Sequence, residues 1–137
     1  ANAAGNWALT QPTALAQGSH TVYATAQLSG QAVSANSNTN TFTVDSVRPS
    51  VAISSTATSP TNTTPIPVTV TFSESVTGFV AGDVTVTNGS ISGFSGSGAS
   101  YSFNVTPSAN GAVTVNVPAN VAQDGAGNGN TAATQFS

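Results

Sequence analysis

Residues 66–72 read Ile66-Pro67-Val68-Thr69-Val70-Thr71-Phe72, and this alternation of apolar and polar side chains decides the fold. Successive side chains of a β-strand point to opposite faces, so the Ile, Val and Phe side chains share one face. The Pro and Thr side chains share the other face. β-branched residues favour such half-buried, pleated surfaces. The stretch therefore predicts a β-strand with one face turned toward a core.

The same alternation recurs on both sides of this strand. It occurs at residues 20–27, 41–44, 51–53, 84–86, 91–94, 101–105 and 113–117, with short apolar stretches at residues 7–9 and at Phe136. The pairs Asn88-Gly89 and Asn110-Gly111 predict hairpin turns, because both residue types tolerate positive φ. No stretch has the 3.6-residue apolar period of a helix. Roughly seven strands after residue 50, with frequent turns, predict an antiparallel β-sandwich.

Charged residues are almost absent from the chain. They are Asp45, Arg48, Glu74, Asp83 and Asp124, whereas about a quarter of the residues of an average protein are charged. Acid–base and nucleophilic catalysis need clustered titratable groups, so this composition argues against an enzyme. The net charge of −3 argues against nucleic acid and against anionic membrane surfaces as partners. No apolar run is long enough to insert across a membrane.

Residues 45–49 form a predicted linker between two parts of the chain. Arg48 precedes a proline, which favours extended backbone, and Pro49 suits the first residue of an edge strand. We therefore divide the chain into residues 1–47 and residues 48–137. The first part has three candidate strands, which form one sheet at most, and the apolar face of that sheet needs a partner.

The second part resembles the bacterial immunoglobulin-like repeat domains. The resemblance rests on the linker at residues 45–49 and on residues 59–62, 70–79, 83–89 and 124–128. It implies an all-β, immunoglobulin-like antiparallel β-sandwich. Such repeats are strung in tandem in large secreted or cell-surface bacterial proteins, many of them adhesins. Residues 1–44 resemble only the C-terminal half of a related repeat, through residues 3–7, 17–22 and 40–44, so a partial Ig-like unit precedes the complete one.

The partial unit leaves an apolar face that something must cover. We predict a partner interface at Trp7, Val22, Phe42 and Val44, because these side chains would otherwise face water. Three explanations remain open: the unit is a fragment of a longer array, another chain supplies the missing strands, or the face packs on the second part. Strand addition between copies of the chain would give head-to-tail polymers.

One candidate calcium site is predicted from oxygen-bearing side chains. Asp124 and Asn128 lie in a Gly-rich loop and could bind Ca²⁺ together with Glu74, because Ca²⁺ takes six to eight oxygen ligands. Asp45 in the linker is a second candidate. Related repeat arrays often stiffen their junctions with Ca²⁺, so the resemblance makes this ion the candidate here. The alternative is that these Asp and Asn side chains close turns. No other cofactor is expected.

The expected function is structural. A spacer or filament module of a secreted or surface-attached bacterial adhesin would have neighbouring Ig-like repeats, or copies of itself, as partners. One alternative is a module that binds carbohydrate or a host surface through loops such as residues 94–101. Another is a non-catalytic accessory domain of a secreted hydrolase. His20, the single histidine, has neither a second His nor a Cys for a zinc site and is expected on the solvated surface.

Overall fold

The computed structural model describes residues 14–27 and 29–137, and the chain divides into two units, Ala1–Ser46 and Val47–Ser137. The predicted boundary follows residue 47, next to this division. The predicted strand at residues 7–9 lies outside the described residues. We refer to the two parts as the first unit and the second unit and describe each by itself.

In the described part of the first unit, β1 (Gly18–Val22) pairs antiparallel with β2 (Asn40–Val44). The predicted strand at residues 20–27 is therefore shorter than expected. Beyond Val22, a serine hydroxyl replaces a backbone carbonyl as acceptor: Ser37 Oγ accepts the N–H of Ala24 at 2.9 Å. The same substitution repeats one pair further along. Pairing continues in this way without a regular ladder.

The second unit has two sheets. Its elements in chain order are β3 (Val51–Ser55), β4 (Ile66–Val76), a 3₁₀ turn (Ala81–Asp83), β5 (Thr85–Thr87), β6 (Gly89–Pro107) and β7 (Thr114–Asn116). One antiparallel sheet has the order β3-β4-β6, and β5 pairs with β7 in the other. Phe136 forms a bridge with Val115, which adds the C-terminal segment to the second sheet. The all-β prediction is confirmed.

Helix is confined to this single 3₁₀ turn within the described residues. Across the same residues, no helix has the length and apolar character needed to cross a membrane.

Strand β6 is long because it bends back on itself. The rings of Phe94 and Phe103, one on each arm, are stacked with their centroids 6.2 Å apart. The bend contains Gly96, whose φ of 126° is a conformation that residues with a Cβ rarely adopt. The two predicted strands on either side of the Gly-Ser run are confirmed as the two arms of β6.

Replacing Gly96 with Ala should destabilise the second unit by about 2 kcal/mol. The added Cβ would collide with the carbonyl oxygen of Ser100 and lie 2.6 Å from the Cα of Tyr101. Gly125→Ala is the matched control, because a Cβ there meets no atom within 4 Å. Urea denaturation of both variants measures the difference. Equal stability of the two variants would show that the bend tolerates a side chain.

The core lies between the two sheets and is built from alternate side chains of each strand. Val68, Val70 and Phe72 are at most 3% exposed, whereas the intervening Thr71 is exposed. The predicted inward face of residues 66–72 is confirmed. Burying each such side chain stabilises the unit by about 1.5–3 kcal/mol. The other buried apolar residues are Val76, Phe79, Val84, Tyr101, Phe103, Val105, Val115, Val117 and Ala122.

The Asn-Gly turns that begin at Asn88 and at Asn110 do not form the predicted hairpins. Both turn the chain, but β5 pairs with β7 rather than with β6. The connections therefore cross from one sheet to the other, because two sheets must close on each other to bury their apolar faces. Asn88, in the first of these connections, is hydrogen-bonded to the second. Its Nδ2 donates to the carbonyls of Ala109 and Ala112 at 3.0 and 3.3 Å.

Candidate functional site

Arg48 fixes the start of the second unit to the loop at residues 118–130. Its Nε donates to the carbonyl of Gly129 at 2.7 Å. A terminal guanidinium nitrogen donates to Asn120 Oδ1 at 2.6 Å and to the carbonyl of Asn130 at 2.9 Å. The planar guanidinium can hold several acceptors at once, which a Lys ammonium does less well. The one cationic side chain of the linker therefore has a structural task.

Asn130 holds the same loop together from inside. It is fully buried. Its Oδ1 accepts the N–H groups of Val121 and Ala122, both at 2.9 Å. Its Nδ2 donates to the carbonyls of Pro118 and Thr131 at 2.9 and 2.7 Å. The Asn130 side chain thus accepts two hydrogen bonds and donates two, so the polar atoms of this buried amide are all satisfied.

Asp124 closes the tip of this loop. Its Oδ1 accepts the N–H groups of Ala126 and Asn128, both at 2.8 Å, and its Oδ2 accepts the Asn128 side-chain amide at 2.9 Å. These donors hold the pKa of Asp124 below its ordinary value. The Asn128 side chain is the largest cause, and burial acts in the opposite direction. The structure thus contains the turn interactions that were the alternative to a metal site.

The structure also brings two predicted calcium ligands together. Carboxylate oxygens of Glu74 and Asp124 lie within 4.8 Å of each other, although the residues are far apart in sequence. Asn128 lies beside them, but it contacts Asp124 through its amide N–H rather than through the oxygen that calcium requires. The two carboxylates supply part of a coordination sphere, and calcium binding stays a prediction. Asp45 belongs to the first unit, where Gln17 donates to it at 2.9 Å.

Asp124→Asn should destabilise the second unit near neutral pH and cease to do so in acid. A carboxyl whose folded-state pKa lies below its unfolded value stabilises the fold above the unfolded value, and this stabilisation is lost as pH falls through the folded pKa. The melting temperatures of wild type and variant, followed from about pH 7 to about pH 2, should therefore converge. Asn128→Ala, which removes the largest cause of the shift, should weaken this pH dependence. A constant difference across the range would contradict the expectation.

The predicted partner-interface residues, other than Trp7, lie in the described part of the chain; Trp7 lies outside it. Val22 is 49% exposed and Phe42 is 40% exposed, while Val44 is half-buried. His20 is opposite Phe42 in the strand pair, and their rings stack with centroids 5.7 Å apart. His20 is therefore half-buried against a ring, which makes it less solvated than the predicted surface residue.

The loop at residues 94–101, the alternative binding loop, turns its aromatic side chains inward. Tyr101 is buried, and Phe94 is half-buried with its ring stacked 5.8 Å from that of Tyr101. Both rings also contact Phe79 in the core. The residues between them are small Ser, Gly and Ala, so this loop offers no exposed ring for a sugar or a surface.

A groove of about 860 Å³ lies at one end of the second unit. Its sides are the loop that joins β3 to β4, the loop that joins β6 to β7, and the C-terminal residues. Sequence reasoning missed it because these segments are distant in the sequence and each resembles an ordinary polar turn. The apolar walls include Pro60, Ile66, Val113 and Phe136.

A comparison with known protein families gives one result. A sequence model described as "Bacterial Ig-like domain" matches residues 45–137, which is more than half of the chain and includes the whole second unit. No curated protein and no solved structure matches the chain. The predicted resemblance and the predicted sandwich are therefore both supported by an independent comparison.

Proposed function

Because the chain belongs to the bacterial Ig-like domain family, we propose that it is a structural spacer module of an extracellular protein. The proposal depends on the path of the chain, which enters the second unit at one end and leaves it at the opposite end. We call this path the in-line course of the chain. The N–H of Thr131 donates to the carbonyl of Pro49 at 2.9 Å, so the C-terminal segment starts beside the beginning of the unit. At the far end, Ser55 and Phe136 line the same groove. A chain passing from Pro49 to Phe136 thus crosses the whole unit, roughly 20 Å.

The few charged side chains of the second unit support a role in holding rather than in catalysis. Arg48 binds carbonyls, Asp124 closes its own loop, and Asp83 accepts the N–H of Val80 at 2.8 Å. Each of these groups has a local structural partner, whereas a catalytic acid or base must be directed at a substrate. The module is therefore proposed to be non-enzymatic.

The proposed location is outside a bacterial cell, secreted or attached to the surface. The exterior is polar through Ser, Thr and Asn rather than through charge. Electrostatic stabilisation is what salt screens and pH changes remove. Apart from the loss in acid expected at Asp124, a protein with so few charges should keep its stability in a medium whose salt and pH vary.

Force spectroscopy tests the spacer proposal. The chain has no Cys, so a pair of introduced cysteines defines the two points at which force is applied. Ser50→Cys with Ser137→Cys pulls along the unit. Ala52→Cys with Ser100→Cys pulls across one sheet. Pulling along the unit should unfold it in one event that lengthens the chain by roughly 300 Å. This event should need more force than pulling across the sheet, because strands must shear rather than peel. Equal or lower force along the unit would overturn the proposal.

We further propose that strands of a second copy cover the exposed face of the first unit. The exposed Val22 and Phe42 side chains support this, since isolated strand pairs are marginally stable in water. Light scattering should show mass that rises with concentration for the wild type. Phe42→Asp should stay monomeric, while Thr87→Asp, an exposed position on the second unit, should associate like the wild type. A monomeric, folded wild type at all concentrations would refute this proposal.

Calcium is the ion to test at Glu74 and Asp124. With the affinity of other extracellular calcium modules, about 10 mM Ca²⁺ would stabilise the second unit by about 1.4–2.7 kcal/mol. Glu74→Gln should abolish this gain while leaving the turn bonds of Asp124 in place. Thermal melts in calcium and in chelator provide the measurement. Identical melting temperatures in the two solutions would mean that turn closure is the only task of Asp124.

A further inference from the structure

We propose that the groove at the C-terminal end of the second unit binds an uncharged saccharide chain. Its volume of about 860 Å³ falls within the range of roughly 300–1,000 Å³ found for small-molecule sites. The proposal is independent of the spacer role, because a spacer without this site would still have the same in-line course.

The lining of the groove decides the charge of its ligand. The described residues that line it are of Ser, Thr, Asn, Ala, Gly, Pro, Ile, Val and Phe types, without an ionisable side chain. A charged ligand would lose water on entering and would find no opposite charge to compensate. The groove therefore favours a neutral ligand over a phosphate, a carboxylate or an amine.

The distribution of polar and apolar groups decides its chemical class. The apolar walls include Ile66 and Phe136, while the rim bears exposed hydroxyl and amide side chains such as Thr61, Asn62 and Asn110. A wholly apolar ligand would cover these rim groups without replacing their hydrogen bonds to water, which is costly. A sugar ring presents C–H faces to the walls and hydroxyl groups to the rim. A neutral saccharide is the ligand class that satisfies both.

The saccharide site differs from the one predicted at residues 94–101. That prediction depended on exposed aromatic rings, and the rings there are packed into the core. In the groove, Phe136 is half-buried rather than buried, and Pro60, which lines the same groove, is exposed. Flat apolar side chains thus remain accessible at this end of the unit.

Nuclear magnetic resonance titration of the ¹⁵N-labelled chain tests the proposal directly. The probes are cellohexaose, maltohexaose and N-acetylated chitohexaose, all uncharged, and a polygalacturonate oligomer as the charged counterpart. At least one neutral probe should cause saturable shifts confined to residues 56–65, 108–113 and 136–137. The polygalacturonate oligomer should bind at least tenfold more weakly than that probe.

Two matched variants locate the site. Ala109→Trp places a bulky ring at the groove, and Ala119→Trp places the same ring in the 118–130 loop, where the alanine is likewise exposed. Ala109→Trp should weaken binding at least tenfold, and Ala119→Trp should leave it within twofold. The proposal fails if no neutral probe produces saturable shifts, if shifts occur outside the groove, or if both variants bind like the wild type. Neither substitution lies in the core, so both variants should remain folded. Melting curves check this.

Discussion

Asn130→Asp is expected to lower the free energy of unfolding of the second unit by about 4 kcal/mol. The substitution keeps the shape but turns the donating Nδ2 into a carboxylate oxygen. The carbonyls of Pro118 and Thr131 would then face that oxygen instead of an N–H. Because the site is fully buried, neither the carboxylate nor the carbonyls can turn to water. Chemical denaturation near neutral pH provides the measurement.

Asn62→Asp is the matched control for this experiment. It makes the same chemical change at an exposed position and should alter stability by less than about 0.5 kcal/mol. If both variants lost the same stability, the four hydrogen bonds of Asn130 would not be what holds the 118–130 loop. Arg48 and Pro49 would then have to provide that anchoring.

Phe79→Ala should cost about 4 kcal/mol, because Phe79 lies at the centre of the aromatic core. Its ring meets those of Phe72 and Tyr101 edge-on, with centroids 5.2 and 5.0 Å away. It is also 5.7 Å from the ring of Phe94. Truncation removes a side chain that is only 5% exposed and leaves a cavity that rigid neighbours cannot fill. Urea unfolding should show a lower midpoint with an unchanged slope.

Phe79→Leu separates lost volume from lost aromatic geometry. It keeps most of the apolar contact and should cost about 2 kcal/mol, roughly half as much as Phe79→Ala, because the edge-on ring contacts are lost but little cavity is created. A loss as large as that of Phe79→Ala would mean that ring orientation rather than cavity formation dominates this part of the core.

The sequence was most informative where the two-residue alternation places large apolar side chains on one face. Residues 20–27 alternate over a longer stretch but carry mostly Ala there, and β1 ends at Val22. Residues 66–72 and the stretch at 101–105 alternate without interruption, and both place the predicted side chains in the core. Burial of one face leaves a strand a single acceptable register, so such patterns determine orientation as well as strand type. The inward-facing residues of β4 and of the second arm of β6 could therefore be predicted one by one.

Prediction failed where partners are remote or where polar residues are buried. The turn beginning at Asn88 is a hairpin signal locally, but the choice between a hairpin and a crossing depends on sheets that close elsewhere in the unit. Asn130 lies in a Gly- and Asn-rich stretch that is typical of an exposed loop, and nothing local reveals its burial. In the sequence, only the resemblance and the small number of acidic residues suggest that Glu74 and Asp124 are neighbours.

The hydrogen bonds of the Asn88 side chain affect where the protein would deamidate. An asparagine followed by glycine can lose ammonia when the next backbone nitrogen attacks its side-chain carbonyl, and asparagine is one of the thermolabile residues for this reason. The Asn88 amide is tethered to two carbonyls and cannot easily rotate into the reactive geometry. Asn110 and Asn128 also precede glycine. The Asn128 side-chain amide donates to Asp124, whereas Asn110 is exposed. On prolonged storage, deamidation should therefore accumulate first at the groove rim, where it would introduce a negative charge.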